Sequence, residues 1–210
     1  HHHHRHGELA AARPFLEQGH AVGVGHPDVE QHQVGAALQA KGARRFGGRA
    51  ASIATHNEPW VIAILGHQAG TFAPGLKSQK AAMQVSHHLL LSHGIALQAL
   101  RGQRCAAPLG IVLNQAPTHA VTDSQEDLAK ARLDDGLTIR WYMDALLRGS
   151  YPEDVLAFLG EDAPQVAPGD MATIRQPLDF LGINYYTRNV SGSGAPLDHE
   201  RLTPRESEVL

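Results

Sequence analysis

Apolar residues follow two alternating rhythms between residues 51 and 185. Three short runs read as strands: Ala51-Ser52-Ile53-Ala54-Thr55, Leu109-Gly110-Ile111-Val112-Leu113-Asn114, and residues 178–185. Longer stretches between them carry helical spacing. Over residues 77–100, Val85, Leu89, Ala96 and Leu100 form a stripe with Ala82 and Leu97 beside it. Over residues 126–147, Leu128, Leu133, Leu137, Trp141 and Ala145 do the same, and Asp123 or Ser124 is placed to cap the first turn. Residues 153–159 and 170–175 read as short helices, and the apolar stretch 60–66 follows the first strand. Strand, helix, strand, helix, strand predicts an α/β fold whose strands run parallel with right-handed crossovers. Gly182 inside the third strand predicts a close backbone approach.

The ends of the chain follow neither rhythm for long. Residues 10–17 and 34–41 could form short helices, and residues 21–25 a strand. Gly23 and Gly25 lack the third glycine that a phosphate-cradling loop requires. Ser191-Gly192-Ser193-Gly194-Ala195 has the composition of a flexible linker. The expected organisation is therefore an unassigned segment over residues 1–45, an α/β unit over 46–190 and a flexible tail over 191–210.

Composition narrows the function classes. With 42% hydrophobic and 19% charged residues in 210, the chain can bury a core. A net charge of -3 argues against a general nucleic-acid binder. Cys105 is the single cysteine, so no internal disulfide forms. No apolar run reaches the about 18 residues of a membrane span. No charged-then-apolar leader pattern opens the sequence, and a cytoplasmic location is expected. His1 to His4 and His6 read as a tag-like tract. His87, His88 and His93 ride on one helix without the carboxylate of a zinc-protease pattern, and are expected to be core or surface residues. Neither a metal nor a cofactor is expected.

The candidate chemistry lies at the end of the first strand. Asn57-Glu58-Pro59 places a carboxylate just past a buried strand, where α/β barrels keep their reacting groups. A second polar-aromatic segment, Asp179-Phe180-Leu181-Gly182-Ile183-Asn184-Tyr185-Tyr186-Thr187, follows. Together, in this order, the two segments resemble glycoside hydrolase family 1, the β-glucosidase and β-galactosidase family. Phe46-Gly47-Gly48-Arg49 and Gly70-Thr71-Phe72-Ala73-Pro74-Gly75 are similar to further stretches of it.

The resemblance implies a partial (β/α)8 TIM barrel, its strands four to six, and retaining hydrolysis of β-glucosides or related β-glycosides. It implies that Glu58 is the general acid/base and that Asn57 contacts the sugar 2-hydroxyl. It places Asn184 and Tyr186 in the same pocket, with the tyrosine orienting the nucleophile. Asn114, at a strand end, is open to two readings: a contact on the leaving-group side of the sugar, or a strand-end cap. The family draws its nucleophile from a Thr-Glu-Asn-Gly-like segment after strand seven. The resemblance does not extend that far, so the nucleophile is unassigned, and Glu200, Glu206 and Glu208 qualify by type only. The family's His-Trp-Asp segment is not found in residues 1–45. A homo-oligomer could complete a barrel from two halves. Two other classes compete: a non-catalytic sugar-binding or interaction module, and a regulator fragment, since residues 202–210 are similar to the start of a LuxR-type helix-turn-helix domain.

Overall fold

The computed structural model describes residues 48–194. The expectations placed on residues 1–45, on Phe46 and Gly47, and on the LuxR-like stretch 202–210 lie outside the described residues.

Three strands form one parallel sheet: β1 (Ile53–Asn57), β2 (Leu109–Asn114) and β4 (Phe180–Asn184), in the order β1-β2-β4. β2 and β4 pair in unbroken register from Gly110↔Phe180 to Asn114↔Asn184. Between β1 and β2 lies α1 (Gln79–Gly102). Between β2 and β4 lie α2 (Gln125–Asp135), α3 (Trp141–Leu147), α4 (Glu153–Leu159) and α5 (Asp170–Ile174). This is the βαβαβ order read from the sequence. The first strand sits two residues further along than its apolar run suggested. Its ladder begins only where Ile53 N reaches Pro108 O, at 2.9 Å.

The starts of α1 and α2 follow their caps. Ser78 Oγ accepts from Ala81 N at 3.2 Å to open α1, and Ser124 Oγ accepts from Asp127 N at 3.2 Å to open α2. The stretch read as one helix over 126–147 is two α-helices joined by a π-helical turn, Gly136–Arg140. Val61–Gln68 is also π-helical.

The core lies between the sheet and the helices. β2 turns Leu109, Ile111 and Leu113 toward them, all buried. From the other side come Met83, Leu90, Trp141, Tyr142 and Ile174. On α1 the buried stripe therefore runs through Met83, His87, Leu90 and Leu97, whereas Val85 and Leu89 are only half buried. Leu128 is 43% exposed, so the expected stripe on α2 begins later than its spacing suggested. His87 is a core residue: Nδ1 lies 2.9 Å from Tyr151 Oη and Nε2 lies 3.1 Å from Asp170 Oδ2.

α1 and α5 touch backbone to side at Gly94, where a Cβ would lie 1.9 Å from Thr173 O. The obstacle is main chain and cannot swing aside. Gly94→Ala is expected to cost about 1–3 kcal/mol by overpacking, read as a lowered urea midpoint.

A second, two-stranded parallel sheet pairs β3 (Thr118–Ala120) with β5 (Asn189–Ser191). Neither strand was anticipated, because three residues are too few to display a period. The linker-like composition at residues 191–194 also proves misleading at its start. Ser191 is a strand residue, and Ser193 donates to Asp127 Oδ1 from both N and Oγ, at 2.8 Å each. Asp127 Oδ2 accepts from Thr122 Oγ1 at 2.6 Å. These donors, Thr122 foremost, hold the Asp127 carboxyl down to about 2, from 3.8. The folded value lies below the unfolded one, so the contribution is present above about pH 4 and is lost as pH falls through about 2. Asp127→Asn should flatten acid unfolding across that window and raise amide exchange at Ser193.

Among the described residues, no helix is long and apolar enough to cross a membrane.

Candidate active site

Glu58 is positioned by backbone before any side chain acts on it. Its N–H donates to Val112 O at 2.9 Å, one step beyond the last ladder pair, Asn57↔Val112. Its φ of 52° lies in the left-handed region that a non-glycine residue rarely adopts. Pro59 then ends the strand, and Val61 N closes a turn on Glu58 O at 2.9 Å. The chain thus pivots at Glu58, at the C-terminal end of the sheet.

The second segment arrives on the far strand. Asn184 closes β4 and donates from Nδ2 to Glu58 Oε1 at 2.7 Å and to Asn57 Oδ1 at 3.1 Å. Tyr186 Oη donates to the same Oε1 at 3.3 Å, from a ring 78% exposed. Both donors converge on one carboxylate oxygen. Among the described residues nothing hydrogen-bonds Oε2, so the other oxygen remains available for transferring a proton.

Four residues singled out by the sequence, Asn57, Glu58, Asn184 and Tyr186, are therefore brought into one hydrogen-bonded group. Asn114 sits between them as the ladder partner of Asn184. Neighbouring residues in register project to one face of a sheet, so Asn114 belongs to the same row. The next residue, Gln115, donates its N–H to Asn184 O at 3.0 Å and fixes the end of that row. At Gly182 the close neighbour is a side chain and not the expected backbone: a Cβ there would lie 2.8 Å from Val112 Cγ2.

Two histidines lie behind the group: His93, expected to be a core or surface residue, and His56, on which the sequence placed no expectation. His56 Nε2 lies 2.7 Å from Ser92 Oγ, whose own proton goes to Leu89 O at 2.9 Å. His56 Nε2 must therefore carry a hydrogen and donate. Burial lowers the His56 pKa. His93 Nδ1 lies 2.6 Å from Thr55 Oγ1. Burial, helped by the nearby His56 and Arg101 charges, pushes His93 down to about 4. Both rings are neutral at physiological pH. Nothing in their spacing marked them, because the contacts join residues 36 to 38 positions apart.

Known proteins resemble this chain in sequence and in fold. The family profile "Glycosyl hydrolase family 1" matches residues 40–207. Beta-glucosidase A of Acetivibrio thermocellus is 39% identical over 135 residues, which is 63% of this chain and 30% of that protein. A β-glucosidase structure from Exiguobacterium marinum superposes with a TM-score of 0.75 at 34% identity, covering 79% of this chain and 39% of that one. The virulence factor SghA of Agrobacterium tumefaciens, solved with its substrate analog salicin, gives 0.74 at 30% identity, covering 79% and 37%. The chain spans about a third of the length of the curated relatives it matches, in keeping with 30% for the first of them. Its parallel strands and helices are accordingly part of an α/β barrel. The family profile covers most of the residues, and the solved relatives repeat the fold. The chain belongs to glycosyl hydrolase family 1.

Proposed function

We propose that this chain carries the acid/base half of a retaining β-glucosidase site, with Glu58 as the proton donor. The observation that supports it most is the asymmetry at the Glu58 carboxyl. Asn184 and Tyr186 both donate to Oε1, while Oε2 has no partner among the described residues.

The chemistry then runs in two steps. In the first, Glu58 Oε2–H gives its proton to the glycosidic oxygen as the bond from that oxygen to the anomeric carbon breaks. A second carboxylate, not assigned in this chain, takes the anomeric carbon. The two hydrogen bonds to Oε1 stabilise the negative charge that Glu58 acquires. In the second step the Glu58 carboxylate removes a proton from water, whose oxygen displaces the second carboxylate. Asn57, held by Asn184, is set to meet the sugar 2-hydroxyl, and Asn114 lies on the same row toward the leaving group.

β-Glucosides are the substrate class favoured by the names of the relatives. The test is hydrolysis of 4-nitrophenyl β-glucoside by the chain and by Glu58→Gln. Turnover that is lost in the variant supports the reading. Turnover that survives it overturns Glu58 as the acid. No turnover in either, with the glucoside bound equally by both, favours a sugar-binding module.

A further inference from the structure

The strand that carries Glu58 does not run evenly. Ala54 pairs with Gly110 and Asn57 with Val112, so three steps on β1 face two on β2. The extra residue is a β-bulge, and its effect is visible in the side chains. Thr55 reaches His93 and His56 reaches Ser92, adjacent residues of the same helix. In a regular strand two successive side chains point to opposite faces. Here both point to the helix side, and the alternation resumes one residue later. Asn57 consequently faces Asn184, on the side of the sheet away from the helix. Without the bulge the phase would be inverted, and Asn57 would point to the helix side, away from Asn184.

We infer that Thr55, His56, Ser92 and His93 form a clasp whose task is to hold this bulge, and through it the face that Asn57 and Glu58 present. They act as positioning residues. This deepens the glycosidase reading of Glu58 and rests on it.

At the bulge the Gly110 carbonyl receives Thr55 Oγ1–H at 3.3 Å. With that proton committed, Thr55 Oγ1 can only accept from His93, so His93 Nδ1 carries the hydrogen. His93 Nε2 is buried and has no partner among the described residues. A bare nitrogen is tolerable there, whereas an N–H would be left without an acceptor. The chain His93 Nδ1–H to Thr55 Oγ1–H to Gly110 O therefore uses each of its hydrogens. On the other side, His56 Nε2–H to Ser92 Oγ–H to Leu89 O does the same. The titratable and charged groups acting on His93 are His56 from β1 and Arg101 from its own helix, and both oppose a second proton on the ring. The clasp is thus a neutral, directed device that ties the strand to α1.

Nitrogen-15 NMR of the whole chain at neutral pH tests this without relying on turnover. Wild type and Thr55→Ser should place the His93 hydrogen on Nδ1 and leave Nε2 bare, and should keep the Asn184 carboxamide slow to exchange. Thr55→Val retains the shape and removes the hydroxyl. It should raise Asn184 carboxamide exchange roughly tenfold, the scale of one lost hydrogen bond, while thermal unfolding stays cooperative. A His93 hydrogen found on Nε2 in wild type would overturn the clasp. So would Asn184 exchange in a folded Thr55→Val that matches wild type. Should Thr55→Val not fold, the His93 tautomer in wild type and Thr55→Ser decides alone. If Glu58→Gln hydrolyses glucosides as fast as wild type, the glycosidase reading fails while these NMR outcomes still stand or fall separately.

Discussion

Glu58→Gln should slow hydrolysis of aryl β-glucosides by about 10²–10⁴-fold, the range for loss of a positioned general acid. The loss should grow with the basicity of the phenol released. The substitution is close to isosteric. Gln Oε1 can still accept from Asn184 Nδ2 and Tyr186 Oη, now at 2.7 and 3.3 Å from the carboxylate oxygen. What disappears is the proton at the second position. A phenol of low basicity leaves without help and should barely notice, whereas a basic one requires protonation as the bond breaks. The measurement is kcat/KM over a series of substituted phenyl β-glucosides for both proteins. A uniform loss across the series would mean that Glu58 holds the site together and does not donate the proton. Asn184→Ala, which removes the donor and the tie to Asn57, is the natural companion in the same assay.

Trp141→Ala should be the most destabilising single change in the helical layer, at about 3–5 kcal/mol. Trp141 is fully buried at the start of α3. Its ring stacks on Tyr151 with centroids 3.9 Å apart and planes 15° from parallel. Its Nε1–H donates to Ser86 Oγ at 2.8 Å, and that hydroxyl donates to Tyr142 Oη at 3.1 Å. Truncation leaves a void beneath Tyr151 and also strips Ser86 of a donor in the dry interior, where a missing partner is costly. Burial pushes the Tyr142 hydroxyl well above the usual phenol range, a sign of how little water reaches this spot. Trp141→Phe keeps the stack and loses only the Nε1 bond, so it should fall between wild type and alanine. Urea unfolding followed by circular dichroism checks both. Equal midpoints for the Ala and Phe variants would mean that the hydrogen bond, and not the packing, dominates.

The part of the fold that could be read from the sequence was the part with a period. Leu109–Asn114 was correctly bounded because its apolar run is of strand length, too short for a helix, and lies between Pro108 and Pro117. Glu153–Leu159 was also correctly bounded, between Pro152 and Gly160, which stop a helix on either side. The π-helical turn at Gly136–Arg140 was hidden because five residues with one extra in the turn barely disturb a helical stripe. β3 and β5 were hidden because their pairing is decided by partners far along the chain. The site divides in the same way. Asn57, Glu58, Asn184 and Tyr186 stood out because they sit in two distinctive segments. Thr55 and His93 did not, since their meeting depends on a bulge, and a bulge is a property of two strands in register and cannot be seen in either one.

The parallel pairings also govern how the chain reaches this structure. Ile53 meets Leu109, Gly110 meets Phe180, and Thr118 meets Asn189, each across an intervening helical stretch. None can form as a local hairpin. α1 can assemble early, with its Ser78 cap, but β1 must wait until the chain beyond α1 has been made and has folded back. Loop-closure entropy is spent before any ladder bond compensates it, which puts this topology among the slow folders. During that interval β1 and β2 expose unpaired N–H and C=O groups that another unfolded chain could pair with. The strand residues that place Glu58 are therefore expected to be among the last to become ordered, and dilution and low temperature should favour recovery of the native structure over aggregation.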